Sequence, residues 1–135
     1  MATIFTKIIN GEIPCYKIAE DENYFAFLDI NPVQEGHTLV VPKKEIDYIF
    51  NLEDSDLAGL MTFAKKVAKA IEKAIPCLRI GIGVVGIEVP HTHVHLIPLK
   101  KVTDLQFEKK MTLSPEKMQE ICEKIKKNFF NLSFH

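Results

Sequence analysis

The sequence predicts an α+β domain whose sheet carries helix on one face, and three observations lead there. Apolar residues recur at helical spacing over one long stretch, from about Glu53 to Ala74. Short segments rich in β-branched and aromatic residues lie on both sides of it. Neighbouring β segments are joined by brief connections, which favours antiparallel pairing, and helices then segregate to one side of the sheet.

The chain opens on a short helix, with Ile4, Phe5, Ile8 and Ile9 on one face and Gly11 as its stop. Tyr16 to Ala19 and Tyr24 to Ile30 read as two strands joined through Glu20-Asp21-Glu22-Asn23. Asn31-Pro32 and Gly36 mark a loop, and His37 to Val41 is a third strand closed by Pro42. In the long helix Leu57, Leu60, Met61, Ala64, Val67, Ala68 and Ile71 form the apolar stripe, and Pro76 ends the pattern. Arg79 to Val85, weakened by Gly81 and Gly83, and Thr92 to Leu99 are two further strands. Lys100 to Leu113 has no periodicity and reads as a loop. Ser114-Pro115 starts a last helix with a cap and a first-turn proline, and Met118, Ile121, Cys122, Ile125 and Phe129 share its apolar face.

The 135 residues, with no repeat, linker or low-complexity tract, make one domain spanning residues 1–135. A hydrophobic content of 47% argues against disorder. The longest apolar runs are too short for a bilayer and none resembles a signal peptide. Cys15, Cys77 and Cys122 are odd in number and widely spaced, with no CxxC pair, which points away from a disulfide framework or zinc knuckle and toward a reducing cytoplasm. The formal net charge is −1 and Arg79 is the sole arginine, so a broad nucleic-acid surface is not expected. Lys65, Lys66, Lys69 and Lys73 fit a solvated helix face.

The chemistry concentrates in His91-Thr92-His93-Val94-His95. Side chains alternate along a strand, so His91, His93, His95 and Ile97 point one way while Thr92, Val94, Leu96 and Pro98 face the long helix. One such histidine would be an ordinary polar residue on a sheet face. Three in strict alternation within an apolar segment point to a site. A metal centre is the sharper rival, since two histidines at i and i+2 chelate zinc. The Cα atoms of the outer two, however, lie about 13 Å apart at strand rise. A metal would need His37, Asp29 or Glu88 to fold into place, so no metal or cofactor is expected. Catalysis without metal needs a neutral middle imidazole, with one nitrogen's lone pair toward the substrate and the other donating to a fixed acceptor. A flanking imidazole then hydrogen-bonds phosphate oxygens or the leaving group.

These residues resemble the histidine-triad (HIT) family. His91 to Ile97 is similar to its His-x-His-x-His pattern followed by two apolar residues. Ile4-Phe5-Thr6-Lys7-Ile8-Ile9 with Gly11-Glu12-Ile13-Pro14 looks like the family's opening, Phe27-Leu28-Asp29-Ile30-Asn31-Pro32 like its second strand and turn, and Gly36 to Lys43 like its third. The resemblance covers most of the first hundred residues in order. It implies an α+β HIT-like fold, a five-stranded antiparallel sheet with a long helix and a C-terminal helix, paired as a homodimer. It implies nucleotidyl hydrolase or transferase chemistry at an α-phosphate. His93 matches the nucleophile, His91 the residue whose carbonyl orients it, His95 the phosphate and leaving-group contact, and His37 a supporting histidine. Asp29 matches the acid that holds the ribose hydroxyls, although by itself it reads as a strand-end turn former. Phe5, Ile8, Ile13, Phe27, Ile30 and Leu39 match the wall around the base, and as residues they equally read as core.

The approach to the triad departs from the family. Gly81 to Pro90 contains no asparagine, and the places of a Gly-Gln-Ser approach hold Gly86, Ile87 and Glu88. Those positions touch phosphate or ribose in the family, and a carboxylate there repels phosphate unless paired or protonated. Glu88 either meets an amine leaving group or turns away to pair with a lysine such as Lys100. The expected function is hydrolysis of a nucleoside phosphoramidate or related purine nucleotide conjugate through a nucleotidyl-histidine. The alternatives are dinucleoside polyphosphate hydrolysis and a nucleotide-binding regulatory protein with slow turnover. The expected partners are a purine nucleotide or its conjugate and a second copy of the chain, not nucleic acid or membrane.

Overall fold

A computed structural model describes residues 2–132. Of the tail Asn131 to His135, the last three residues lie outside that range, so its reach toward any site does too.

The elements follow the expected order: α1 (Ile4–Ile9), β1 (Lys17–Glu20), β2 (Tyr24–Leu28), β3 (Thr38–Pro42), α2 (Asp54–Ala74), β4 (Arg79–Gly83), β5 (Val94–Leu99) and α3 (Pro115–Leu132). Single 3₁₀ turns at Ile49–Asn51 and Val102–Asp104 interrupt the longer loops. The five strands form one antiparallel sheet in the order β1-β2-β3-β5-β4. Its middle joins β3 to β5, with Leu39 opposite His95 and Thr38 opposite Leu96. That pairing brings the residues around His37 to those around His95.

The period-two alternation sorts side chains between two cores. Ala26, Leu28, Val40, Val94 and Leu96 face α2 and α3 and pack with Leu60, Val67, Ile71, Ile121 and Ile125. Phe25, Phe27, Leu39 and Val41 face the other way and pack with Phe5 of α1. The expectation of one helix-covered face therefore needs correction: α1 covers part of the second face, because β2 and β3 are apolar on both sides.

Several boundaries shift for identifiable reasons. Strand β2 stops at Leu28, since Asp29 Oδ1 accepts from the Asn31 amide and turns the chain. The triad strand begins at Val94, not Thr92. Ahead of it the Thr92 amide and hydroxyl both donate to the Ile46 carbonyl, so that segment docks on the loop after β3 instead of entering the ladder. Gly36 has φ +91°, and a Cβ there would lie 2.9 Å from Ile75, so glycine is needed at the turn that delivers His37. Ser114 caps α3 as expected, its hydroxyl accepting from the Lys117 amide.

Candidate active site

His93 sits where the apolar approach to β5 meets the α1 face. Its ring lies edge-on to Phe5, 5.0 Å between centroids, and is nearly buried. Nδ1 is 2.7 Å from the backbone oxygen of His91. A carbonyl only accepts, so Nδ1 carries the hydrogen and Nε2 keeps the lone pair. The backbone of His91 thus sets the tautomer that nucleophilic attack requires.

His95, one alternation further along, is held by a different partner. Its Nδ1 is 2.9 Å from Nε2 of His37, and Nδ1 of His37 accepts from the Val33 amide at 3.1 Å. An amide donates, so the neutral His37 ring carries its hydrogen on Nε2 and gives it to Nδ1 of His95. His95 is left with its own hydrogen on Nε2, a donor. Burial is the main cause that lowers both rings, His37 to about 4 and His95 to about 3, with the Lys110 charge and, for His95, the neighbouring imidazoles adding to it. Both are neutral at pH 7.

His91 contributes its backbone and not its ring. The ring is completely buried under α1, with Nε2 2.7 Å from the Pro42 carbonyl and Nδ1 2.8 Å from the Thr3 hydroxyl. Although His91 and His93 both precede the strand, Phe5 meets both rings, and α1 seals off that of His91.

Asp29 lies half-buried at the end of β2 with Oδ2 3.6 Å from Nε2 of His37. Burial raises its carboxyl, while the Asn31 amide and the Lys110 charge pull it back. Asp29, His37 and His95 bring ligand atoms within 4.8 Å of one another. The donor set fits a cation poorly. A metal on Nε2 of His37 would force the hydrogen onto Nδ1, where it would oppose the Val33 N–H.

The residues matched to a base wall divide. Phe5, Phe27 and Leu39 pack together beside His93, and Ile8 flanks them. Ile13 is half-buried outside that cluster, and Ile30 is 64% exposed beside Asp29. Gly86 adopts φ +70°, a conformation that suits glycine. Ile87 and Glu88 are exposed. Glu88 makes no ion pair among the described residues, so the pairing with Lys100 is not formed.

Sequence reasoning missed two neighbours of the site, both in the stretch after β5. The Phe107 ring lies edge-on to His95 at 4.7 Å. The Lys110 charge acts on Asp29, His37 and His95, and the next residue, Met111, ties the segment down by donating its amide to the Pro32 carbonyl at 2.8 Å. Nothing in the local pattern of residues 100–113 marks either one.

Comparison with known proteins bears on the family and the fold. The HIT domain family model matches residues 10–102. An uncharacterized HIT-like protein of Borreliella burgdorferi is 38% identical over 134 residues, covering 93% of this chain and 96% of its own. An adenosine 5'-monophosphoramidase of Schizosaccharomyces pombe is 40% identical over 99 residues, covering 73% of this chain and 74% of its own. Among solved structures, a Hit-like protein from Bartonella henselae superposes with a TM-score of 0.82 at 30% identity, covering 93% of this chain and 95% of that one. Sequence, sheet order and the imidazole arrangement converge, and the chain belongs to the histidine-triad family.

Proposed function

We propose that this protein hydrolyses a nucleoside phosphoramidate or related purine nucleotide conjugate at its α-phosphate, through a nucleotidyl intermediate on His93. The observation that carries the proposal is the 2.7 Å bond from His93 Nδ1–H to the His91 carbonyl. It leaves Nε2 free to attack phosphorus. As the N–P bond forms and the bond to the leaving group breaks, the ring becomes a cation. The same carbonyl then accepts a hydrogen bond from a charged donor, which is stronger than one from a neutral ring. A leaving amine departs with a proton from solvent. Water next attacks phosphorus, breaks the bond to Nε2, and releases the nucleoside monophosphate and a neutral His93.

His95 serves here as a hydrogen-bond donor and not as an acid. A ring lowered to about 3 is neutral at pH 7, and giving up its Nε2 hydrogen would leave an imidazolate. Its donation to a phosphate oxygen strengthens as charge builds in the transition state. Asp29, with lone pairs left after binding the Asn31 amide, accepts from the ribose hydroxyls. Phe5, Phe27, Leu39 and Ile8 line the base pocket with Ile13 and Ile30 at its rim, while Gly86 and Glu88 are assigned to the phosphate side by their match to the family's approach to the triad. The name of the fission yeast relative supports the phosphoramidate reading.

A second reading, hydrolysis of dinucleoside polyphosphates, draws on Lys110, whose positive charge reaches the site and would suit an anionic leaving group. Both readings use a homodimer. Strand β4 is a sheet edge, and Ile82, Val84, Val85 and Ile87 beside it are exposed, a surface that a second copy would cover. Cytoplasmic location is part of the same proposal; no helix among the described residues is long and apolar enough to cross a membrane.

Single-turnover trapping tests the function. Incubation with a labelled adenosine phosphoramidate should give a nucleotidyl-protein adduct that His93→Ala abolishes. Absence of any adduct from wild type, across phosphoramidates and dinucleoside polyphosphates alike, would leave nucleotide binding with slow turnover as the function.

A further inference from the structure

The helix that covers His91 has only six residues, too few to hold itself in water. Yet its Phe5 packs on the rings of both His91 and His93. Something outside the helix must fix it. Glu45, exposed on the loop after β3, accepts at Oε1 from the Thr3 amide at 2.7 Å and from the Thr6 hydroxyl. Thr3 in turn caps the helix, its hydroxyl oxygen accepting from the Thr6 amide at 3.1 Å.

The hydrogens can be assigned. The Pro42 carbonyl accepts from Nε2 of His91, so a neutral His91 has a bare Nδ1. Thr3 must donate its single hydroxyl hydrogen to that nitrogen. The Thr6 hydroxyl is thereby left to serve Glu45. One continuous path of bonds runs from the Glu45 carboxylate through Thr6 and Thr3 to the His91 ring, and from the His91 carbonyl to Nδ1 of the nucleophile. Among the described residues the His91 ring is hydrogen-bonded by the Thr3 hydroxyl at Nδ1 and the Pro42 carbonyl at Nε2, so Thr3 is its one hydrogen-bonded link to α1.

We infer that Glu45, Thr3 and Thr6 are positioning residues for His93: they clamp the N-terminal helix onto the triad approach and hold His91 in the orientation that presents its carbonyl to the nucleophile. Glu45 touches neither reacting atoms nor imidazole. It acts through the two threonines. The carboxylate is well suited to that task, because the Thr6 hydroxyl first and the Thr3 amide second hold its carboxyl below the usual carboxylate range, so it stays an acceptor at neutral pH.

The inference rests on His93 as nucleophile only for its kinetic consequence; the resting protein supplies a separate readout. Nitrogen-15 imidazole spectra of wild type should show opposite tautomers, hydrogen on Nε2 of His91 and on Nδ1 of His93. In Thr3→Val the Nδ1 resonance of His91 should move to that of an unbonded nitrogen. The Nδ1 hydrogen of His93 should then exchange with solvent at least about tenfold faster, because its acceptor is no longer fixed. Glu45→Ala should act in the same direction. Glu45→Gln, which keeps an acceptor oxygen, and Thr3→Ser, which keeps the hydroxyl, should rescue. In single turnover, Thr3→Val should slow adduct formation by about tenfold or more with nucleotide affinity changed by less than about threefold. Ser114→Ala, which removes the cap of α3 at similar cost in stability, serves as the control and should move neither readout. Wild-type exchange at His93 in both Thr3→Val and Glu45→Ala would overturn the inference. An absent adduct in wild type would instead overturn the proposed reaction and leave the spectroscopic result standing.

Discussion

Nε2 of His37 donates to Nδ1 of His95 across 2.9 Å, and both rings are neutral at pH 7. The pair decides two things at once: the direction of the hydrogen that His95 offers to a substrate, and the response of the fold to acid.

Acid should destabilise this protein from the ordinary histidine range downward. In the unfolded chain both rings take up protons near pH 6.5; in the fold they resist until about 4 for His37 and about 3 for His95. The unfolded state therefore binds more protons throughout that window. Stability is fully present above pH 6.5 and is lost progressively as pH falls toward the folded values. His37 alone accounts for about 3 kcal/mol across its range, at about 1.4 kcal/mol per pH unit. Denaturant titrations at pH 7, 6, 5 and 4 check this. The slope in His37→Gln should be shallower than wild type by about one proton. Equal slopes would mean that His37 titrates normally in the fold.

Phe107 should matter because its ring touches the last histidine of the triad. Its edge-on contact fixes the face of His95, and its ring tip fills the space where a Cβ at Gly83 would sit, at 2.9 Å. Phe107→Ala should cost about 1–2 kcal/mol of stability and lower kcat/KM by about tenfold through a looser His95. Phe107→Leu should lie between. Steady-state kinetics beside thermal melting separates the two effects, and undiminished kcat/KM in Phe107→Ala would mean that His95 is oriented by His37 alone.

Much of this site was legible because it lies in a regular pattern. Strand alternation placed Val94 and Leu96 toward α2 and the imidazoles on the opposite side, and the structure keeps that division. The separate fates of His91 and His93 were not legible. Both share one face by alternation, and only the docking of α1 through Phe5 and Thr3 buries one ring completely. Phe107 and Lys110 escaped for a related reason. Their segment has no period, and it is held by a tertiary bond from the Met111 amide to the Pro32 carbonyl, which no local rule anticipates. His37 was recoverable only through resemblance, since its partner His95 stands 58 residues away.

In the proposed reaction a positive Lys110 would favour an anionic leaving group and Glu88 an amine, and this opposition predicts selectivity. If the charge of Lys110 assists departure of an anion, Lys110→Ala should reduce turnover of dinucleoside polyphosphates by about tenfold, a loss of about 1.4 kcal/mol in transition-state stabilisation. Amine-leaving phosphoramidates should change by less than about threefold. Lys110→Arg should preserve both. If Glu88 meets an amine, Glu88→Gln and Glu88→Ser should reverse that order, slowing phosphoramidates alone. The same panel of adenosine and guanosine substrates serves for all four variants. Unchanged selectivity in both Glu88 variants would remove that carboxylate from the site, in keeping with its exposed side chain and its lack of an ion pair among the described residues.

Chelation should leave the reaction untouched, although Asp29, His37 and His95 bring ligand atoms within 4.8 Å of one another. A cation needs a lone pair from His37 on the side facing that group. The Val33 amide already occupies the lone pair of Nδ1, which commits the hydrogen to Nε2. Capturing the metal would require breaking the buried hydrogen bond from the Val33 N–H to His37 Nδ1, a cost of about 1–3 kcal/mol, and would also strip His95 of the donor that sets its own tautomer. Activity after exhaustive dialysis against a chelator should therefore equal that of untreated protein, and calorimetry with zinc should show no tight uptake at one equivalent. Activity that falls on dialysis and returns with one equivalent of zinc would show that His37 abandons Val33, and would make the cluster a metal centre after all.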